Sequence, residues 1–222
     1  MIQKITTEWI PIKLWLHKLE PGALQQAKDL ANLEIAFRHI AIMPDAHQGY
    51  GMPIGGVLAT KNTIVPNAVG VDIGCGMCSL KTNLKHIEQD DLKSVMNLIR
   101  KNIPVGFKHH KNAQNDSWMP PLERNLHIVS QEYESAMYQI GTLGGGNHFI
   151  EIQKGTDGNI WIMVHSGSRN IGYKVAEYYH KKAVEETKKR TKNIPPKDLS
   201  YFEKGTQGYE DYFYEMNDGI DF

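Results

Sequence analysis

This chain has short apolar runs separated by glycine instead of one hydrophobic period along its length, and this pattern limits the folds that it can adopt. Runs at 40–43, 56–59 and 69–73 have the length and composition of buried strands. They lie between two segments of helical period, at 23–31 and 92–99. Since strands and helices mix here without a regular alternation, we expect an α+β fold, with mixed sheets and flanking helices rather than a doubly wound parallel sheet.

Local signals refine this expectation. Residues 10–16 largely alternate apolar and polar side chains, which predicts a strand, and Pro11 favours a position at the edge of its sheet. Residues 149–152 and 160–164 form two further predicted strands, and the Asp-Gly pair between them is typical of a β-hairpin. A long helix is expected at about 173–192.

Composition restricts the class of protein. The 222 residues are 41% hydrophobic and 23% charged, which favours a soluble globular protein over a disordered chain or a polytopic membrane protein. The chain has 25 Lys and Arg residues in total and 25 Asp and Glu residues, so its formal net charge is zero. RNA binding would therefore depend on local clustering of charge. Glu8, Lys13 and His17 interrupt the apolar N-terminal segment, which argues against a signal peptide, and we expect a cytoplasmic protein.

Two polar regions leave alternatives open. The stretch 108–121 is either a substrate-facing loop or a solvated insertion. Residues 174–197 carry eight basic side chains against three acidic ones, and 198–222 carry seven acidic ones against Lys204. This pattern fits a solvated helix beside an acidic tail better than a dedicated phosphate-binding track.

The two cysteines, Cys75 and Cys78, lie in a glycine-rich segment after Asp72. A structural zinc ribbon would need further ligands, and the sequence holds no second cysteine pair. A thioredoxin-like dithiol would begin a helix, whereas the residues after Cys78 have a strand-like pattern. Asp72 and Cys75 can instead present a carboxylate and a thiolate to one divalent ion such as Mn²⁺ or Zn²⁺.

Two histidines mark one end of the predicted hairpin. His148 follows a glycine run and precedes the first strand, and His165 closes the second. Because those ends are adjacent in an antiparallel pair, the two imidazoles can meet on one metal ion. The glycine run with Asn147 is similar to a phosphate cradle, and the segment 166–169, Ser-Gly-Ser-Arg, offers groups that suit a phosphate or sulfate.

Four sequence blocks resemble, in order, the signature motifs of the RtcB family of RNA ligases: PDAHQGYGMPIGG, GVDIGCGM, GGGNHFIE and HSGSRNIG. The resemblance runs from about Trp9 to the end of the chain. It implies an RtcB-like fold and a ligase dependent on GTP and Mn²⁺. Such an enzyme joins RNA 3′-phosphate or 2′,3′-cyclic phosphate ends to 5′-hydroxyl ends, as in tRNA splicing and RNA repair. RNA is then the partner, and the use of an archease-type activator is left open.

The resemblance also implies roles for individual residues. Asp72, Cys75, His148 and His165 match family metal ligands, and Cys75 is expected to bridge two Mn²⁺ ions. Cys78 lies outside the pattern and is expected to be a small buried residue.

Other matched positions concern the nucleotide and the RNA. Asn147 and Glu151 match nucleotide contacts. Arg169 matches a position that holds an RNA phosphate, and we expect Ser166 and Ser168 to assist it.

Asp45 matches an acidic position near the reaction centre. The family's further metal-binding histidine and its guanylylated histidine lie C-terminal to the last motif, and no histidine follows His180 here. We therefore expect residues 1–222 to be the N-terminal portion of a single RtcB-like catalytic domain, with the C-terminal part absent. We expect this chain alone to form no covalent guanylate.

Two other functions fit the same residues. One is a dinuclear metallohydrolase, which would not require GTP. The other is a non-catalytic module that binds metal and RNA.

Overall fold

The structure is a computed structural model and describes residues 1–122, 126–192 and 194–222. The strands are β1 (Gln3–Ile5), β2 (Ile12–Leu14), β3 (Ala36–His47), β4 (Ile54–Thr60), β5 (Thr63–Ile64), β6 (Gly76–Lys81), β7 (Phe149–Lys154), β8 (Ile160–Ser166) and β9 (Phe202–Glu203). The helices are α1 (Pro21–Ala31), α2 (Pro66–Val69), α3 (Gln89–Asn102), α4 (His127–Ala136), α5 (Ile171–Arg190) and α6 (Gln207–Asp221). This mixture confirms the α+β prediction. Within the described ranges, no helix is long and apolar enough to cross a membrane.

The chain divides into two compact units, and the first comprises residues 1–71 and 176–214. Its main sheet has the order β1-β2-β3-β4, in which β2 and β3 are parallel. Ile12, Ile40 and Leu30 are fully buried where this sheet packs against α1. The prediction of an edge position for β2 was wrong, because β2 pairs with a strand on each side. Pro11 lies just before β2, where its carbonyl accepts a hydrogen bond from the amide of Ile40 and no amide of its own is needed.

The predicted strand at 69–73 was also wrong. Residues 66–69 form the single-turn helix α2, which has Pro66 at its start and ends at Gly70 with φ of 104°. Proline is favoured in the first turn of a helix, and glycine tolerates the positive φ that ends this one. A short apolar run cannot by itself distinguish a strand from such a turn.

The second unit comprises residues 72–175 and 215–222. Its three-stranded sheet has the order β6-β8-β7, and the β7–β8 pair confirms the predicted hairpin. Met77 and Phe149 both lie directly opposite His165, one on each neighbouring strand. His165 therefore lies in the middle strand, β8, at the end of the sheet where β6 and β7 begin.

Two helices of the second unit are α3 and α4. The helical period at 92–99 predicted α3, and none of the residues of this helix is fully buried. The sequence pattern did not predict α4. The fully buried carboxylate of Glu215 on α6 accepts hydrogen bonds from Ile128 and Val129 at the N-terminus of α4. A carboxylate at this position satisfies free amides and suits the positive end of the helix dipole.

Candidate metal centre

Three side chains from separate segments meet at one end of the β6-β8-β7 sheet. Cys75 precedes β6, His148 precedes β7 and His165 lies in β8. The Cys75 Sγ lies 2.8 Å from Nε2 of His165 and 3.8 Å from Nε2 of His148. Their ligand atoms all lie within 4.8 Å of one another, so the three can hold one metal ion. The predicted adjacency of the two histidines is present in the structure.

Backbone carbonyls set the orientation of both imidazoles. Nδ1 of His148 lies 3.0 Å from the carbonyl oxygen of Leu143, and Nδ1 of His165 lies 3.1 Å from that of Asn147. Because a carbonyl can only accept, each Nδ1 must carry the hydrogen. Each neutral ring then has its lone pair on Nε2, the atom that faces Cys75. This is the arrangement that metal-binding histidines use.

Asp72 adds a carboxylate to the cluster. Its Oδ2 lies 3.4 Å from Nε2 of His148. Desolvation, followed by a hydrogen bond to Asp72 and the negative charge of Asp72, raises the pKa of the Cys75 thiol to about 12. The thiol is therefore protonated at neutral pH in the metal-free protein, and a metal ion must displace its proton.

Arg169 lies beside this cluster with part of its guanidinium already engaged. Nε donates to Oγ1 of Thr142 and Nη2 donates to the carbonyl of Gly106, each at 2.8 Å. Nη1 packs against the Cα of Gly144, where a side chain would collide with it. Desolvation lowers the pKa of Arg169, and the charge of Asp72 opposes that shift. Arg169 also lines a cleft of about 310 Å³ within the second unit.

The two serines that were expected to assist Arg169 make local contacts. The Ser166 hydroxyl donates to the carbonyl of Leu143 at 3.0 Å. The buried Ser168 hydroxyl donates to the carbonyl of Ile73 and accepts from the amide of Gly172 at 2.8 Å, near the start of α5. Contact of either serine with RNA stays a prediction.

The remaining predicted residues occupy different positions. The side chains of Asn147 and Glu151 are exposed, and Glu151 accepts a hydrogen bond from Gln153 at 2.6 Å. Asp45 lies on β3 in the first unit, and its role stays a prediction. Cys78 is exposed on β6, so the expectation of a buried residue was wrong.

Sequence reasoning missed the contribution of residues 142–144 to the site. The glycine run marked this segment as a loop, but the acceptors are one hydroxyl and the carbonyl of Leu143. A carbonyl has no sequence signal, because every residue has one. Only the folded structure shows that these acceptors bind His148, Ser166 and Arg169.

The donor set fits a divalent transition metal. Two imidazole nitrogens oriented by carbonyls, one thiol sulfur and a nearby carboxylate form a mixed set of the kind that Mn²⁺ or Zn²⁺ accepts. An arginine next to such ligands adds a donor for an anion bound at the metal. The second unit thus has the features of a metal-binding protein with an arginine beside the candidate metal ligands.

Comparison with known proteins narrows this class to one family. The family described as tRNA-splicing ligase RtcB matches residues 26–127 and 122–222, and the chain belongs to this family. It is 38% identical to the RNA-splicing ligase RtcB1 of Escherichia coli strain ATCC 25922 and 37% identical to the RNA-splicing ligase RtcB of strain K12. Both matches cover 94% of this chain and 56% of the relative.

A more distant relative gives the same result. The tRNA-splicing ligase RtcB of Thermococcus kodakarensis is 29% identical over 90% of this chain and 52% of its own length. The chain therefore spans about half the length of the curated relatives that it matches.

Proposed function

We propose that this chain provides the metal-binding and phosphate-binding part of an RNA ligase that joins 3′-phosphate or 2′,3′-cyclic phosphate ends to 5′-hydroxyl ends. The observation that carries the proposal is the pair of histidines whose Nε2 atoms face Cys75 while carbonyls hold their Nδ1 atoms. The names of the relatives, RNA-splicing and tRNA-splicing ligase, support the choice of reaction.

Mn²⁺ is the proposed metal, with two ions per complete site. Cys75, His148 and His165 would hold it, together with Asp72. When bound, the metal would act as a Lewis acid that polarises a phosphoryl oxygen and stabilises negative charge. The residues of this chain keep both imidazoles in the ligating tautomer and, through Cys75, supply a thiolate after loss of its proton.

Arg169 is the proposed contact for the RNA terminal phosphate. Its Nε and Nη2 groups are held by protein acceptors, which leaves the Nη1 side to donate to an anion near the metal ligands. Ser166 and Ser168 remain proposed secondary contacts.

GTP is the proposed nucleotide cofactor, and Asn147 and Glu151 are its proposed contacts. Both residues are exposed, which leaves them accessible to a ligand. Asp45 is proposed as an acidic group near the reaction centre. We assign no nucleophile, since no histidine follows His180 in the sequence. The proposed setting is the cytoplasm, with RNA as substrate and an archease-type protein as activator.

Binding of RNA ends tests this proposal without requiring turnover. We expect the chain with Mn²⁺ to bind an oligoribonucleotide with a 3′-phosphate at least tenfold more tightly than the same RNA with a 3′-hydroxyl. Cys75→Ala should remove this preference, and Cys78→Ala is the matched control that should retain it.

The other outcomes separate the two alternative functions. Equal affinity for both RNA ends would contradict the ligase proposal and favour a non-catalytic RNA-binding module. Release of inorganic phosphate from the 3′-phosphate in the absence of GTP would instead favour a metallohydrolase.

A further inference from the structure

The hydroxyl of Thr142 faces the Arg169 side chain from a buried position. Its Oγ1 accepts a hydrogen bond from Nε of Arg169 at 2.8 Å and donates one to the carbonyl of Gln139 at 2.5 Å. Thr142 is 5% exposed. Because the hydroxyl hydrogen is directed at Gln139, the oxygen must present a lone pair to Arg169. The threonine is therefore an oriented acceptor for the guanidinium.

A second acceptor holds the same edge of the guanidinium. Nη2 of Arg169 donates to the carbonyl of Gly106, and the amide of Gly106 donates to the carbonyl of Gly144 at 2.7 Å. Nη1 then packs on the Cα of Gly144, next to the ring of His148. The guanidinium is thus fixed along its Nε–Nη2 edge, with Nη1 on the Nδ1 side of the His148 ring.

The backbone of Arg169 is in an unfavourable conformation. Its φ is 47° and that of Asn170 is 85°, so two consecutive residues other than glycine lie in the left-handed region. A long side chain rarely adopts this conformation, and its cost must be offset by surrounding contacts. The bonds to Thr142 and Gly106 are contacts of this kind.

We propose that Thr142 is a positioning residue for anion binding, which fixes the guanidinium of Arg169 so that Nη1 is directed at a phosphate beside the metal ligands. This inference rests on the proposed function, in which Arg169 binds the terminal phosphate of RNA. Thr142 acts through Arg169, since its hydroxyl bonds to Arg169 and to the carbonyl of Gln139.

Two substitutions of Thr142 separate the hydroxyl from the shape of the side chain. Thr142→Val removes the acceptor, and Thr142→Ser keeps it. We expect Thr142→Val to weaken binding of a 3′-phosphorylated oligoribonucleotide about tenfold, which corresponds to about 1.4 kcal/mol. Thr142→Ser should bind within twofold of the unchanged chain. The affinity for Mn²⁺, measured by electron paramagnetic resonance, should stay within twofold in both variants.

A double-mutant cycle tests whether Thr142 acts through Arg169. Arg169→Lys keeps the positive charge but has no Nε group to donate to Thr142. Thr142→Val should therefore cost less than twofold in the Arg169→Lys background, against about tenfold in the unchanged chain. A similar loss in both backgrounds would mean that Thr142 acts through its bond to Gln139, and would overturn the proposal.

One further variant distinguishes this proposal from the proposed function. If Arg169→Ala leaves RNA binding unchanged, the phosphate contact itself is refuted. If Arg169→Ala weakens binding and Thr142→Val does not, only the positioning role is refuted. Should the valine variant fail to fold, Thr142→Ala replaces it in the same cycle.

Discussion

The Nδ1 group of His165 donates a hydrogen bond to the backbone carbonyl of Asn147, which precedes it by 18 residues. Asn147 thus has two separable parts: its carbonyl orients a metal ligand, and its exposed side chain is the proposed nucleotide contact. Because a substitution of the side chain keeps the carbonyl, the metal site and the nucleotide site can be tested independently.

The two cysteines should differ in their effect on metal binding. Cys75→Ala removes the sulfur that lies near both histidines, and we expect the affinity for Mn²⁺ to fall at least tenfold. Zn²⁺ should bind more tightly than Mn²⁺, following the general affinity order of divalent ions. Calorimetric titration of the metal-free protein measures both. Cys78→Ala is the control, and equal losses in the two variants would exclude Cys75 as the ligand.

Two glycines of the same loop should respond differently to alanine. Both have a positive φ, +86° at Gly144 and +70° at Gly146. A Cβ at Gly144 would collide with Arg169 and His148, whereas a Cβ at Gly146 meets nothing within 4 Å. Both alanine substitutions therefore strain the backbone, and only Gly144→Ala also causes a collision.

We expect Gly144→Ala to weaken both Mn²⁺ binding and RNA 3′-phosphate binding at least tenfold. Gly146→Ala should lower the unfolding temperature through backbone strain alone and leave both affinities within about threefold of the original. Retention of both affinities in Gly144→Ala would contradict the close approach of Arg169 and His148 to this loop.

Asp157 stabilises the turn of the hairpin that carries His165. Its carboxylate contacts Lys81 at 2.6 Å, the amide of Asn159 at 3.0 Å and the indole of Trp161 at 3.2 Å. The bond to Lys81, then the bonds to Asn159 and Trp161, hold the pKa of Asp157 well below its ordinary value of 3.8. The ionised carboxylate therefore favours the folded state above about pH 4, and this contribution is lost as the pH falls further.

Asp157→Asn should accordingly reduce the free energy of unfolding at pH 7, with a smaller difference from the unchanged chain at pH 3. Urea unfolding at the two pH values measures the change. A difference that is the same at both values would show that the charge of Asp157 contributes nothing. Lys81→Met, which removes the main partner, should give a similar pH dependence.

Glu215 should contribute strongly to the stability of the second unit. Glu215→Ala leaves the amides of Ile128 and Val129 without their carboxylate acceptor, and we expect a loss of about 2–4 kcal/mol in the free energy of unfolding. Glu215→Gln retains an acceptor oxygen and should lose less. Hydrogen exchange should accelerate in the first turn of α4 in the alanine variant. Unchanged exchange there would refute the capping role of Glu215.

Several elements were predictable because their signals are local. The helix at 23–31 follows Pro21, and the hairpin has an Asp-Gly turn between two apolar strands. The strand prediction at 69–73 was wrong, because Pro66 starts a helical turn just before it and Gly70 ends that turn with a positive φ. The apolar stripe of α3 has a clear helical period, yet burial depends on a packing partner, which the period does not specify.

The sequence by itself determined which residue types are available for the site and which pairs a hairpin can join. It singled out Asp72, Cys75, His148, His165 and Arg169 by residue type and by their glycine-rich surroundings, and the structure brings Cys75, His148 and His165 together. Only the tertiary structure decided how these groups are oriented. The tautomer of each histidine and the direction of the Arg169 guanidinium depend on the carbonyls of Leu143, Asn147 and Gly106 and on the Thr142 hydroxyl. Backbone carbonyls are identical along the chain, so folding alone selects which of them become acceptors.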